Sequence, residues 1–223
     1  MSTSHEDHSS EREAMIERQL RRRGISEPQI LDAFRAVPRE AFISHEYAHL
    51  AYGDHPVPIE AGQTISQPYI VALMIQAAAI KDQDKVLEIG SGSGYAAAVI
   101  SRIARRVIGI ERQPELAKIA LERLQRLGYD NVWILEGDGT RGYANEAPFD
   151  AILAAASGSH VPVPLIGQLA PGGRLVMPIG EPDSIQQLVK VTKQEDGTLK
   201  EEHLGSVRFV PLIGEEGWSD ARG

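Results

Sequence analysis

The sequence has no cysteine, few large aromatics (four Phe and two Trp) and no long uninterrupted apolar run. The missing cysteine excludes disulfide staples, zinc–thiolate sites and a cysteine nucleophile. The longest apolar stretch, residues 69–80, is interrupted by Gln76 and falls short of the roughly 20 residues a bilayer span requires, so no membrane partner is expected. Positive charge is also scarce. A net charge of −8 opposes the basic footprint of a nucleic-acid binder. The one basic cluster, Arg21, Arg22 and Arg23, precedes Gly24 and reads as cations closing a helix. The leading segment MSTSHEDHSSERE is polar and acidic and lacks the apolar region of a secretory leader. A cytoplasmic protein is expected.

What is present is ordinary globular material. The chain has 223 residues, 42% of them hydrophobic and 24% charged, enough for one large domain with a core of its own. Residues 1–10 predict a disordered lead. Residues 11–23 place Met15, Ile16 and Leu20 at helical spacing, stopped by Gly24. A second helix is predicted from Pro28, with Ile30, Leu31, Phe34 and Val37 as its apolar stripe and Pro38 as its end. A third covers residues 40–47. Residues 52–66, YGDHPVPIEAGQTIS, read as a long ordered loop of the kind that carries function. An apolar helix follows over 68–80, with Pro68 suited to its first turn.

From Lys85 the texture changes. KVLEIG, RRVIGIE, NVWILEGD, FDAILAAA and GGRLVMPIG are short apolar runs typical of strands covered on both sides. The intervening YAAAVISRIA, PELAKIALERLQRLG and VPLIGQLA read as helices. This alternation predicts right-handed βαβ units, hence a doubly wound, mostly parallel Rossmann-like α/β sheet with helices on both faces. IQQLVKVTKQ and SVRFVPLIG have no helix between them, so the sheet is expected to end in antiparallel strands. WSDARG reads as a frayed terminus. The expectation is a single domain, with an N-terminal helical and loop region over 11–80 and the α/β core with its C-terminal strands over 81–214. The order of the last strands stays open.

In an open wound sheet, ligands sit beyond the carboxyl ends of the strands. The first wound strand ends in Glu88-Ile89-Gly90-Ser91-Gly92-Ser93-Gly94, where glycines let the backbone turn and approach a ligand closely. The second ends in Glu111-Arg112, and a carboxylate there can accept hydrogen bonds from both hydroxyls of an adenosine ribose. The third ends in Asp138-Gly139, and that carboxylate can accept from an adenine amine. The spacing is G-x-G-x-G, not the dinucleotide pattern G-x-G-x-x-G. Glu88 would repel a pyrophosphate but attract the ammonium group of a methionine moiety. The acid-then-glycines pattern resembles motif I of class I methyltransferases, and Asp138-Gly139 resembles their adenine-contacting position. The resemblance implies S-adenosylmethionine as cofactor and no metal. Its binding residues would be Glu88, Ile89, Gly90, Ser91, Gly92, Gly94, Glu111, Arg112, Asp138 and Gly139. The alternatives are a strand-to-helix turn with no ligand, or a nicotinamide oxidoreductase.

A second set of residues narrows the class. VPREAF at 37–42, AYGD at 51–54, Pro58-Ile59, GQTISQP at 62–68 and VRFVPL at 207–212 resemble the protein-L-isoaspartate O-methyltransferase family, from about Met15 to Gly214. The resemblance implies methylation of the free α-carboxylate of isoaspartyl residues, and of D-aspartyl residues, in damaged proteins and peptides. The ester then cyclises to a succinimide, which hydrolyses in part to aspartate. The catalytic serine would be Ser66. Thr64, Ile65 and Ser66, with Val210, Pro211 and Leu212, would bind the substrate. The protein would be a monomer or weak homo-oligomer. An α-carboxylate has a pKa of about 3.3–3.7 and is already ionised near neutral pH, so no general base is needed. Ser66 would orient the substrate, and a covalent role is not implied. The competing role for this segment is helix capping, since Thr64-x-x-Gln67 fits a capping box. Tyr52 and Asp54 could be loop-fixing groups, and His49 and His55 form no triad by sequence. Two departures stand out. Glu60 replaces the family's usual glycine in P-I-G, and Ala155-Ala156-Ser157-Gly158 stands where T-A-A-A is usual. A methyltransferase of the same fold with another substrate, or a cofactor-binding module without turnover, remains open at this level.

The glycine loop makes a first prediction. Gly92→Val should abolish binding of S-adenosylhomocysteine in calorimetry while circular dichroism reports a folded domain. Wild-type affinity in that variant would refute the loop assignment.

Overall fold

The computed structural model describes residues 8–220. Its centre is a seven-stranded sheet of β3 (Lys85–Ile89), β4 (Arg106–Glu111), β5 (Val132–Glu136), β6 (Phe149–Ala154), β7 (Leu169–Ile179), β8 (Gln186–Lys193) and β9 (Leu199–Val207), in the order β5-β4-β3-β6-β7-β8-β9. β5, β4, β3, β6 and β7 run parallel. β7, β8 and β9 then form an antiparallel meander in simple chain order, which settles the arrangement of the last strands. A two-residue hairpin, β1 (Val57–Pro58) with β2 (Thr64–Ile65), stands apart in the 52–66 loop. The winding reverses at β3, which has β4 on one side and β6 on the other. Chains leaving β3 and β6 part in opposite directions there, and a crevice opens at the carboxyl ends.

Alternation along each strand feeds two cores. Val86, Val107, Ala151, Leu153 and Val176 face one layer, while Leu87, Ile89, Ile108, Ile152 and Leu175 face the other. The first layer is thick. It holds α3 (Pro68–Ala78), α4 (Tyr95–Ser101), α5 (Pro114–Arg126) and the N-terminal elements. The second is closed by α6 (Val163–Gly167), through Leu165, and by partly buried Tyr143 and Val161. Helices therefore cover both faces, as expected, but unevenly. The N-terminal elements share the first core with the wound sheet. Phe42 makes edge contacts with Tyr95 at 5.6 Å and Tyr129 at 6.3 Å, and Phe34 with Tyr95 at 6.2 Å between ring centroids.

Several local expectations need correction. The predicted disorder of residues 1–10 falls mostly on residues 1–7, outside the described part, but Ser9 and Ser10 already lie in α1 (Ser9–Met15). That helix continues as a wide turn over Ile16–Leu20 and a tight one over Arg21–Arg23, then stops at Gly24 with φ +91. α2 (Pro28–Ala36) follows as predicted. The third helix is instead two short 3-10 turns, Arg39–Phe42 and His45–Leu50. Ile43 and Ser44 between them are extended, which lets both Phe42 and Ile43 be buried. The last strand is expected at 206–214 but spans Leu199–Val207. It is the sheet edge with one wet face, so LKEEHLG needs no apolar run. The apolar segment 208–214 leaves the ladder because its peptide groups bond elsewhere: Ser157 N–H donates to Val210 C=O and Leu212 N–H to Ser157 C=O, both at 2.8 Å. Residues 218–220 are not frayed either. The Trp218 indole donates to Ser157 C=O at 2.9 Å, and Asp220 pairs with Arg112. Residues 221–223 lie outside the described part.

Since Phe42 bridges the N-terminal elements and the wound core, Phe42→Ala should cost about 3–5 kcal/mol. Urea denaturation should show one cooperative transition at lower midpoint. A separate early transition confined to the N-terminal part would contradict the shared core.

Candidate active site

The crevice at the carboxyl end of β3 is a cavity of about 250 Å³ with two dissimilar walls. One wall is the glycine loop with the ends of β3 and β4. The other comes from residues 62–66 and 210–213. Ala155 and Ala156, after β6, close the floor.

The glycine loop takes its shape from backbone conformation. Gly90, Gly92 and Gly94 have φ of +78, +54 and +87, the left-handed region that favours glycine. Glu111 fixes this loop to the next strand. Its Oε2 accepts from Gly92 N–H and its Oε1 from Gln113 N–H, each at 2.9 Å. Each carboxylate oxygen keeps further lone pairs for hydroxyl donors. Glu88 is 3% exposed, lines the cavity, and its Oε2 has no hydrogen-bond partner among the described residues. Burial, reinforced by the nearby Glu111 charge, pushes its carboxyl up to about 7. A buried carboxylate with one unpartnered oxygen beside a glycine cradle is what a cationic ammonium would complete. The residues present therefore fit the amino-acid end and the ribose of S-adenosylmethionine.

The opposite wall is set by the N-terminal elements. Ser66 precedes α3 and lines the cavity, as do Thr64 and Ile65. The capping alternative is not realised, because the N-cap is Gln67 and no side chain caps this helix. Among the described residues the Ser66 hydroxyl makes no hydrogen bond, whereas its carbonyl accepts from Arg39 Nη2 at 2.7 Å. Tyr52 and Asp54 do not reach the cavity. Tyr52 bonds Glu40 and Arg12, and Asp54 accepts from Gln67 at 2.7 Å and Arg23 at 3.2 Å. Both are loop-fixing groups.

Of the sequence-predicted positions, Ile89, Gly90, Ser91, Gly92, Glu111, Arg112 and Gly139 join Glu88 on the cavity wall, and Val210, Pro211 and Leu212 join Thr64–Ser66. Two do not. Asp138 lies next to the wall residue Gly139: its Oδ1 accepts from the Thr140 N–H and hydroxyl at 2.9 and 2.7 Å, and its Oδ2 from Glu215 N–H at 2.8 Å. Partial burial would raise its pKa, but these donors outweigh it and hold the carboxyl below its usual value. Asp138 thus anchors the C-terminal segment. Gly94 is also off the wall. A Cβ there would stand 3.1 Å from Leu124 Cδ1, so this glycine allows α4 to pack on α5.

The departures gain physical roles. Glu60 Oε1 pairs with Arg123 at 2.8 Å, and Arg123 also donates to Ser93 C=O at 3.1 Å. The acid thus ties the substrate-side loop to the glycine loop. Ser157 is the tie-point for residues 210–218 described above, and its neighbours Ala155 and Ala156 face the cavity. Sequence reading missed Gln63, Tyr95, Ala96, Gln113 and Ile213 on the wall. Gln113 and Ile213 adjoin predicted positions, but Tyr95 carried no signal beyond starting a helix.

An acid-capped glycine loop at the switch point of a wound α/β sheet, with a ribose-type carboxylate on the next strand, defines a class I S-adenosylmethionine-dependent methyltransferase. The family described as protein-L-isoaspartate(D-aspartate) O-methyltransferase matches residues 10–217, and the chain belongs to that family. It is 54% identical to protein-L-isoaspartate O-methyltransferase 2 of Pelobacter propionicus, over 93% of this chain and 92% of the relative. It is 53% identical to the protein-L-isoaspartate O-methyltransferase of Rhodopseudomonas palustris, over 92% and 94%. A solved protein-L-isoaspartate O-methyltransferase superposes with TM-score 0.83 at 31% identity, covering 92% of this chain and 67% of the other. A Plasmodium falciparum protein of the same description, crystallised with S-adenosyl-L-homocysteine, gives TM-score 0.77 at 31% identity, covering 92% and 98%.

The raised carboxyl of Glu88 sets a pH dependence without any ligand. Between the unfolded value of 4.5 and the folded value near 7, the native state keeps a proton that the unfolded chain has lost. Stability from this group therefore falls as pH rises through that window. Relative to Glu88→Gln, the wild type should lose about 2 kcal/mol between pH 5.5 and 7.5 in urea denaturation. An identical pH trend in both proteins would contradict the buried, neutral-favouring site.

Proposed function

We propose that this protein transfers a methyl group from S-adenosylmethionine to the free α-carboxylate of L-isoaspartyl residues, and of D-aspartyl residues, in damaged proteins and peptides. The observation that carries this reading is the two-walled cavity, with an acid-bearing glycine loop facing the Thr64–Ser66 segment. The cofactor supplies a methyl group on a sulfonium. Glu111 takes the ribose hydroxyls and Glu88 faces the ammonium. Gly90, Ser91 and Gly92 give backbone access, while Ile89, Arg112 and Gly139 complete the cofactor side. Ser66 donates its otherwise unused hydroxyl to the substrate carboxylate, and Thr64, Ile65 and Val210–Leu212 flank the peptide. Asp138 and Gly94 support these walls from behind.

The chain's chemical task is modest. An α-carboxylate, which ordinarily titrates at about 3.3–3.7, arrives ionised, so no residue has to remove a proton. Rate must come from alignment and from stripping water off the nucleophile. Residues 11–80 and the Val210–Leu212 segment supply the substrate side, and the rest of 81–214 the cofactor side, of one domain. The acidic charge supports a protein without a nucleic-acid partner. We infer a monomer or weak homo-oligomer acting in the cytoplasm without a membrane partner; no helix among the described residues is long and apolar enough to cross one.

Labelled methyl from S-adenosylmethionine should enter an isoaspartyl peptide and not its aspartyl twin. Equal labelling of the two, or none, would sink the assignment, and transfer to some other acceptor alone would leave only the general methyltransferase class. Ser66→Ala should lower kcat about 10- to 100-fold, the loss of one charge-assisted hydrogen bond, with affinity for S-adenosylhomocysteine nearly unchanged.

A further inference from the structure

Arg39 is 0% exposed, and among the described residues it makes no ion pair with a carboxylate. Its Nε donates to Ala51 C=O and its Nη2 to Ser66 C=O, both at 2.7 Å. The guanidinium carbon lies 4.7 Å from the centre of the Tyr95 ring, and Nη1 has no partner. Two carbonyl dipoles and the neighbouring tyrosines, Tyr95 foremost, favour the charge, but among the described residues no carboxylate does. A buried cation without a counter-ion is strongly unfavourable, and a helix cap or an apolar side chain could hold a loop at less cost.

The cavity in front of it has the opposite problem. Its wall carries two buried carboxylates, Glu88 and Glu111. Among the described residues the single cation on the wall, Arg112, is paired with Asp220 at 2.8 Å. With Glu88 facing the cofactor's ammonium group, Glu111 still sets negative charge beside an anionic nucleophile entering this space. Ser66 and Tyr95 line the cavity, and both rest directly on the Arg39 guanidinium.

We propose that Arg39 is the positioning residue for the substrate carboxylate: its buried charge, one hydrogen bond behind Ser66 and without a carboxylate partner, attracts and selects an anionic acceptor. The inference rests on the function proposed above and deepens it. Because Arg39 is fully buried, an attraction of this kind is screened far less than between groups at the surface. The same contact sets the Ser66 backbone, so charge and geometry reach the substrate through one residue.

The test compares an isoaspartyl peptide with its neutral isoasparaginyl analogue, used as a competitive inhibitor, on wild type, Arg39→Gln and Arg39→Lys. Arg39→Gln should raise KM for the charged peptide by about tenfold or more. The inhibition constant of the neutral analogue and the affinity for S-adenosylhomocysteine should change less than about twofold, and Arg39→Lys should recover most of the loss. Equal weakening of charged and neutral peptides, or a lysine variant no better than glutamine, would show a mere loop buttress and overturn the proposal. If the variants do not fold, the wild type alone decides. The ¹³C-labelled α-carboxylate of the isoaspartyl peptide, bound with S-adenosylhomocysteine, should titrate below its free value, and an unchanged or raised titration overturns the idea. Failure of the wild type to methylate the isoaspartyl peptide would sink the proposed function instead.

Discussion

The Glu111 carboxylate receives Gly92 N–H on one oxygen and Gln113 N–H on the other, and much of the site hangs on that pair of hydrogen bonds. They lock the glycine loop after β3 to the end of β4, at the place where the sheet reverses its winding. The loop can then keep three residues at positive φ without drifting. Gly109 of β4 contributes from beneath, since a Cβ there would collide with the Ser91 side chain and with Ile134. The acid that is available for a ribose is thus also the acid that builds the loop, and recognition and architecture share one side chain.

The second constraint is electrostatic. Of the two buried acids, Glu88 suits a cofactor with a cationic amino-acid end, while Glu111 disfavours an acidic acceptor in the same cavity. The chain resolves this by bringing the VPREAF segment under the opposite wall, where a buried arginine supports Ser66. The N-terminal extension is consequently part of the active-site machinery as well as of the core.

The remaining wall is held from two directions. The Glu60–Arg123 pair fastens the 59–66 loop to α5 and, through Ser93, to the glycine loop. Asp138, Ser157 and Trp218 fasten the 208–220 segment across the strand ends. Asp138 shows how a residue takes on contacts that sequence reasoning does not foresee. An acid at the end of the third strand is expected to meet adenine, but a carboxylate two residues before a threonine also makes a compact turn, and the chain returning at Glu215 takes its other oxygen. Nothing within residues 132–140 announces that return.

By itself the sequence determined what depends on local pattern. Short apolar runs and period-3.6 hydrophobicity placed the wound strands and their helices, and glycine spacing after Glu88, with Glu111 ending the next strand, marked the cofactor loop, because these signals lie within one βαβ unit. The GQTISQP segment pointed to the substrate side only through its resemblance to the family. Only the tertiary structure decided the contacts between distant segments: Arg39 beneath Ser66, Glu60 on Arg123, and Asp138 turned toward Glu215. It also decided the edge strand Leu199–Val207, whose polar sequence is indistinguishable from a loop until β8 offers it a ladder. Hydrogen bonds and ion pairs between residues 27 to 77 positions apart leave no periodicity in the chain, and the return of the backbone alone creates them.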